Sequence, residues 1–294
     1  MNRQNTQRFA AVLLALLFYA GLAFGQSSPP EIRQMSLESK LNARKMPYRV
    51  ILPPGYAAKE NALKRYPVIY LLHGLTGHYD NWTDRTKLAQ YAAKYSFIIV
   101  TPEGDDGWYT DSQTRPNDKY ESYIMKELVP EVDAKFRTAA ERRSRAIAGL
   151  SMGGYGALKF GLKYPETFVL AGSFSGALSV ATDGWSIEFL RPSLVNVYGT
   201  KDSQTVKDND IYAMIRNVSP EKVKDLPFLY IDCGTEDFLI ASNRDLVTLL
   251  MEKKVPHEYR QLPGKHDWKY WDRQVQEFLQ VAERAFAAGA TAAK

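Results

Sequence analysis

The chain has 294 residues, 45% of them hydrophobic and 24% charged, with a formal net charge of +5. This length can bury a substantial core in one domain, and the absence of a fixed-period repeat or low-complexity tract excludes a solenoid or a disordered tail. The basic excess is mild and forms no dense block, which argues against nucleic acid as a partner.

In chain order, Arg3 and Arg8 precede an uncharged apolar run from Phe9 to Phe24, and Ala23-Phe24-Gly25 offers small residues where a signal peptidase reads. Residues 1–25 are therefore expected to be a cleaved export signal. The run is short for a spanning helix and polar Gln26-Ser27-Ser28-Pro29-Pro30 follows, so no stable membrane anchor is expected after cleavage. Without Arg3 and Arg8 the net charge falls to +3. The lone cysteine, Cys233, lies far from the signal, which leaves no lipid-accepting thiol and no internal disulfide. Its strand-like surroundings, Phe228 to Gly234, make it buried packing.

Residues 26–45 read as a linker and strand region ahead of a catalytic domain at 46–287. From Ile32 to Tyr56 the pattern is one of paired strands, with Met46 to Leu52 running into the turn Pro53-Pro54-Gly55. Tyr66 to Leu72 is continuously apolar, as in a parallel strand covered on both faces, and His73-Gly74-Leu75-Thr76-Gly77 follows at its end. A helix near Lys87 to Lys94 and a strand at Ser96 to Val100 lead into the loop Pro102 to Asp111. Ligands collect at the carboxyl ends of parallel strands, so Trp108 and Tyr109, with Trp82, are candidate pocket walls for a sugar or an aromatic acid. Helical spacing then runs through Tyr120, Tyr123, Ile124, Leu128, Val132 and Phe136.

The organising element comes next. Arg145 to Gly149 is a short apolar strand, Gly149-Leu150-Ser151-Met152-Gly153 is a Gly-x-Ser-x-Gly pattern, and Met152, Tyr155, Leu158 and Leu162 recur at helical steps. Strand, turn and helix in this order form a nucleophile elbow, which exposes the hydroxyl of Ser151 above the sheet. Acyl transfer creates an oxyanion, and the expected donors are the N–H of Met152, next to the serine, and that of Leu75, in the loop after the earlier strand. His73 is expected to order that loop. Phe168 to Gly176 is another buried strand, and residues 177–226 break the alternation as an insertion expected to cover the active site. After the strand at Phe228 to Cys233 three acids compete, Asp232, Glu236 and Asp237. Asp237 lies deepest in the loop and is chosen. Of the four histidines, His73 and His78 belong to the glycine loop region and His257 opens a strand, so His266 is left as the base in the loop after the last strand. The closing helix turns Trp271, Val275, Phe278, Leu279 and Ala282 toward the sheet.

These motifs resemble the esterase D-like branch of the α/β hydrolases, which includes S-formylglutathione hydrolases, feruloyl and acetyl esterases and secreted mycolyltransferases. The resemblance spans about Met46 to Phe278 and rests on Leu72-His73-Gly74-Leu75-Thr76-Gly77, Gly107-Trp108-Tyr109, Gly149 to Ala157, Gly234-Thr235-Glu236-Asp237 and His266-Asp267-Trp268. It implies an α/β-hydrolase fold with a mostly parallel sheet flanked by helices, Ser151 as nucleophile, Asp237 as acid, His266 as base, and Leu75 and Met152 as oxyanion donors. The expected activity is that of an exported serine esterase on a small-molecule or carbohydrate ester, acetyl or feruloyl. The alternatives are a mycolyltransferase-type acyltransferase and an S-formylglutathione hydrolase-like thioesterase, the latter at odds with the export signal. The mechanism calls for no metal or organic cofactor, and the sequence holds no Cys/His cluster to bind one.

Overall fold

The computed structural model describes residues 30–291. The expected export signal lies outside them. Eight strands form one sheet: β1 (Glu31–Ser39), β2 (Arg44–Leu52), β3 (Val68–Leu72), β4 (Ile98–Pro102), β5 (Arg145–Leu150), β6 (Leu170–Phe174), β7 (Phe228–Gly234) and β8 (His257–Leu262). Their spatial order is β1-β2-β4-β3-β5-β6-β7-β8. β1, β2 and β4 pair antiparallel, and every other pairing is parallel. The main helices are α1 (Leu88–Ala92), α2 (the helical stretch 120–135), α3 (Met152–Lys163), α4 (Arg191–Tyr198), α5 (Ile211–Asn217), α6 (Ile240–Glu252) and α7 (Trp268–Thr291).

The apolar run of β3 shows why the sheet is covered on both sides. Side chains alternate across a strand. Val68, Tyr70 and Leu72 join the cluster that holds Tyr123 and Leu128 of α2, Tyr155 and Leu158 of α3 and Leu246 of α6. Ile69 and Leu71 join the opposite cluster, with Leu88 of α1 and Val275, Phe278 and Leu279 of α7. All five residues of β3 are buried.

The strand expected at Ser96 to Val100 forms two residues later, at Ile98–Pro102. Its register with β3 sets the start, because Ile98 pairs with Val68 and donates its N–H to Pro67 O at 2.9 Å. Apolarity marked the buried stretch, and the neighbouring strand decided where the ladder begins. The insertion at 177–226 carries α4, α5 and short helical turns, and its segment 187–197 stands over the carboxyl ends of the parallel strands as one wall of the cavity described next.

Candidate active site

Ser151 joins β5 to α3 with φ of 53° and ψ of −115°, a conformation that side chains disfavour and that only dense surroundings maintain. Its N–H donates to Phe174 O at 2.9 Å, and its carbonyl accepts from Tyr155 and Ala177 N–H, each at 3.1 Å. The flanking glycines permit the turn. A Cβ on Gly149 would stand 2.5 Å from the Gly153 backbone, and one on Gly153 would stand 2.5 Å from His73 O. Neither obstacle is a flexible side chain.

Asp237, His266 and Ser151 form one hydrogen-bonded chain. His266 Nδ1 lies 2.9 Å from Asp237 Oδ2, and His266 Nε2 lies 3.0 Å from Ser151 Oγ. A carboxylate only accepts, so Nδ1 carries the proton and the Nε2 lone pair faces the serine hydroxyl. Asp237 Oδ1 accepts the Leu239 N–H at 2.9 Å, which holds the carboxylate in place. Burial pulls the Asp237 carboxyl upward, but the hydrogen bond and electrostatic attraction of His266, with the Leu239 N–H, outweigh this and keep it below the usual range. The other two acids stand elsewhere. Glu236 is exposed, and Asp232 is buried within β7, where desolvation pushes its carboxyl up to about 7. Above the site the imidazole is flanked by Phe238, at 4.6 Å between ring centres, and by the edge of Trp271, at 4.9 Å.

The loop after β3 is built around the peptide joining Gly74 to Leu75. His73 Nδ1–H, at 2.8 Å, and Gly77 N–H, at 3.1 Å, both donate to Gly74 O. Because the peptide is trans, its N–H, that of Leu75, points away from these two donors. The loop packs on the elbow so closely that a Cβ on Gly74 would lie 3.4 Å from Ser151 Cβ. Met152 stands at the first position of α3, where a helix leaves its N–H groups unpaired. Among the described residues neither the Leu75 nor the Met152 N–H has an acceptor. The buried His73 ring, set between Gly74 O and Gly104 N–H, which lies 2.9 Å from Nε2, orders the loop. Behind it burial raises the Glu103 carboxyl, yet the neighbouring His73 ring and hydrogen bonds from the Asp105 and Gly104 N–H groups bring it down to about 2.

A cavity of about 810 Å³ opens at Ser151 and His266. Leu75, Trp108, Ile187, Leu190 and Phe238 give it an apolar lining, while Arg44, Asp105 and Tyr120, joined through the guanidinium, make it polar beyond. A smaller cavity of about 350 Å³ reaches the same two residues from the side of Asn81, Arg85 and Trp268. Of the three aromatic residues expected as pocket walls, Trp108 borders the larger cavity but is only 1% exposed, its indole N–H donating to Ser193 Oγ at 3.0 Å, so it backs the wall rather than presenting a face to it. Two need correction. Trp82 is wholly buried, because its indole N–H satisfies Leu72 O at 2.9 Å and its ring packs on Phe174 and Trp268. Tyr109 is wholly buried too, its hydroxyl donating to His73 O at 3.0 Å. Sequence reasoning missed Phe238, Phe189 and Arg44. Phe238, 71% exposed beside the chosen acid, carried a signal in its position, whereas Arg44 arrives from the β1–β2 hairpin with none.

Among the described residues, His78, Glu103 and Asp105 bring one possible metal-ligand atom each within 4.8 Å of one another. The Glu103 oxygens there already accept from backbone N–H groups, and Asp105 is paired with Arg44.

Residues 39–280 match the family model described as "Putative esterase". An acetyl esterase of Caldicellulosiruptor saccharolyticus is 28% identical over 254 residues, covering 83% of this chain and 95% of that protein. Among solved structures, the fluorophosphonate-binding serine hydrolase FphF of Staphylococcus aureus superposes with a TM-score of 0.78 at 26% identity, covering 87% of this chain and 99% of that one. A ferulic acid esterase gives 0.75 at 27% identity, covering 87% and 98%. The eight-stranded, mostly parallel sheet, the family match over residues 39–280 and these neighbours place the chain in the esterase family of the α/β hydrolases, as a carboxylic ester hydrolase.

Proposed function

We propose that this chain is an exported serine esterase that cleaves carboxylic esters through an acyl-enzyme on Ser151, with acetyl or feruloyl esters of carbohydrates as its substrates. The observation that carries the reading is the chain from Asp237 through His266 to Ser151, with contacts of 2.9 and 3.0 Å, at the mouth of the large cavity. Ser151 Oγ attacks the ester carbonyl while His266 Nε2 takes its proton, and Asp237 holds the imidazole in the tautomer that can do so. The carbonyl oxygen, now an oxyanion, is met by the unspent N–H groups of Leu75 and Met152. His266 then returns the proton to the leaving alcohol oxygen. A water, deprotonated by the same nitrogen, attacks the acyl-serine, and the nitrogen passes that proton to Ser151 Oγ as the acyl–serine bond breaks and the acid leaves.

The substrate class draws on the cavities. About 810 Å³ lined by Trp108, Leu190 and Phe238 is far more than an acetyl group fills and suits an aromatic acyl group, as the likeness to a ferulic acid esterase also suggests. The second opening leaves the alcohol portion its own approach to Ser151. Export rests on the charged and apolar pattern of residues 1–25. The test compares residues 26–294, intact and as Ser151→Ala, on p-nitrophenyl esters of increasing length, methyl ferulate and acetylated xylan. Serine-dependent turnover is expected. Equal rates from the two proteins would overturn the reading, and a product that carries the acyl group on an added sugar would favour acyl transfer over hydrolysis.

A further inference from the structure

We infer that Tyr109, held by the buried Lys159, is a positioning residue that sets the two halves of the oxyanion hole against each other. The inference rests on the serine-esterase reading of the site. The two N–H donors belong to separate elements, Leu75 to the loop after β3 and Met152 to the start of α3, and no covalent link fixes their spacing. Tyr109 stands between those elements. Its hydroxyl donates to His73 O at 3.0 Å, one peptide before the Gly74–Leu75 unit. Its ring occupies the space that a side chain at Gly156 of α3 would need, since a Cβ there would stand 2.6 Å from it. The carbonyl that Tyr109 grips is the one that abuts Gly153 in the first turn of α3. Three parts of the protein therefore meet at His73 O: the loop, the helix and the tyrosine.

The tyrosine does not rest there by local preference. Trp108 and Tyr109 both have φ of 50°, two successive non-glycine residues in the left-handed region. Lys159, on the second turn of α3 after Met152 and fully buried, holds this strained pair. Its ammonium donates to Tyr109 O at 2.7 Å and to Thr110 Oγ1 at 2.6 Å, and pairs with Glu121 Oε2 at 3.0 Å. A charge is costly to bury without such partners, so all three contacts act to keep the lysine where it reaches the loop. The brace thus runs from α3 through Lys159 to the Tyr109 backbone, across its ring to the hydroxyl, and back to the peptide beside the Leu75 donor. Trp108, the preceding residue, is almost wholly buried at the edge of the large cavity and is tied to Ser193 of α4, so a residue backing the cavity wall and the strut that aligns the oxyanion hole share one strained dipeptide.

The experiment is Tyr109→Phe, which keeps the ring and removes one hydroxyl, with Tyr198→Phe as control. Tyr198 is equally buried and lies near Thr110, but its hydroxyl bonds Tyr155 Oη at 2.9 Å rather than a carbonyl of the loop after β3. Steady-state kinetics on p-nitrophenyl acetate and the rate of Ser151 labelling by a fluorophosphonate are measured alongside thermal melting. For Tyr109→Phe, kcat and the labelling rate are expected to fall roughly 10-fold, with KM within about twofold and the melting temperature near that of the parent, a loss felt in the transition state alone. Tyr198→Phe is expected to keep both rates. Parental rates in Tyr109→Phe, a rise in KM alone, or equal losses in the two variants would overturn the inference. No labelling of the parent protein would instead defeat the serine-esterase reading itself. Lys159→Met, if folded, is expected to reproduce the kcat loss with KM kept; should it fail to fold, Tyr109→Phe still decides.

Discussion

Asp237 divides its two oxygens between two tasks at equal distance, His266 Nδ1 at 2.9 Å and Leu239 N–H at 2.9 Å. The same short side chain orients the imidazole and holds the turn that leads into α6. Asp237→Asn should keep the turn, because the amide oxygen can accept from Leu239, but present an N–H to His266 and favour the wrong tautomer. A fall in kcat of about 10⁴ with an unchanged melting temperature is expected. Steady-state kinetics beside calorimetry checks it, and a loss below tenfold would remove Asp237 from the role.

Phe238 is 71% exposed, rests on the His266 ring and lines the large cavity. In Phe238→Ala the apolar surface offered to a bulky acyl group shrinks, while an acetyl group has little of it to lose. The KM for methyl ferulate should rise about tenfold, and that for p-nitrophenyl acetate should change much less. Equal changes for the two esters would mean that the ring supports the imidazole rather than the substrate.

The acid limit of stability should come from Glu103 and Glu121. Burial opposes ionisation of both, but His73 with backbone N–H groups on one, and Lys159 with Lys163 on the other, hold each at about 2 against an ordinary 4.5. A folded value below the unfolded one gives stability that is complete above pH ~4.5 and is lost as pH falls toward ~2, on the order of 3 kcal/mol for each group. Urea melts between pH 5 and 2 should show the loss, and Glu121→Gln should flatten its slope. An unchanged slope in that variant would count against the assignment.

Asp232 should act in the opposite sense. Desolvation inside β7 raises it to about 7 from 3.8, so the protein binds a proton there that the unfolded chain releases. Its contribution is most favourable below pH ~3.8 and is lost as pH rises to ~7. Asp232→Asn should therefore gain stability relative to the parent between pH 5 and 8. A difference that does not grow with pH over that window would contradict it.

The sequence by itself determined the elements whose geometry is local. Glycines at 149 and 153 around Ser151, an apolar run before it and helical spacing after it specify a turn that any surrounding fold must accommodate. The continuous apolarity of Val68 to Leu72 likewise specified a strand covered on both faces, because both sets of alternating side chains had to leave water. Asp237 and His266 were readable as candidates because each follows a strand in a loop, and the fold brings them into one chain with Ser151. What only the tertiary structure decided was which way an aromatic side chain faces and what meets it from far along the chain. Trp82 and Tyr109 read as pocket walls from their place after strands, yet carbonyls at Leu72 and His73 draw their polar ends into the core. Arg44 and Phe189, remote in sequence, reach the same cavity from a hairpin and an insertion. Backbone turns follow from neighbours a few residues away, whereas burial and pocket shape depend on packing between segments whose separation along the chain carries no such constraint.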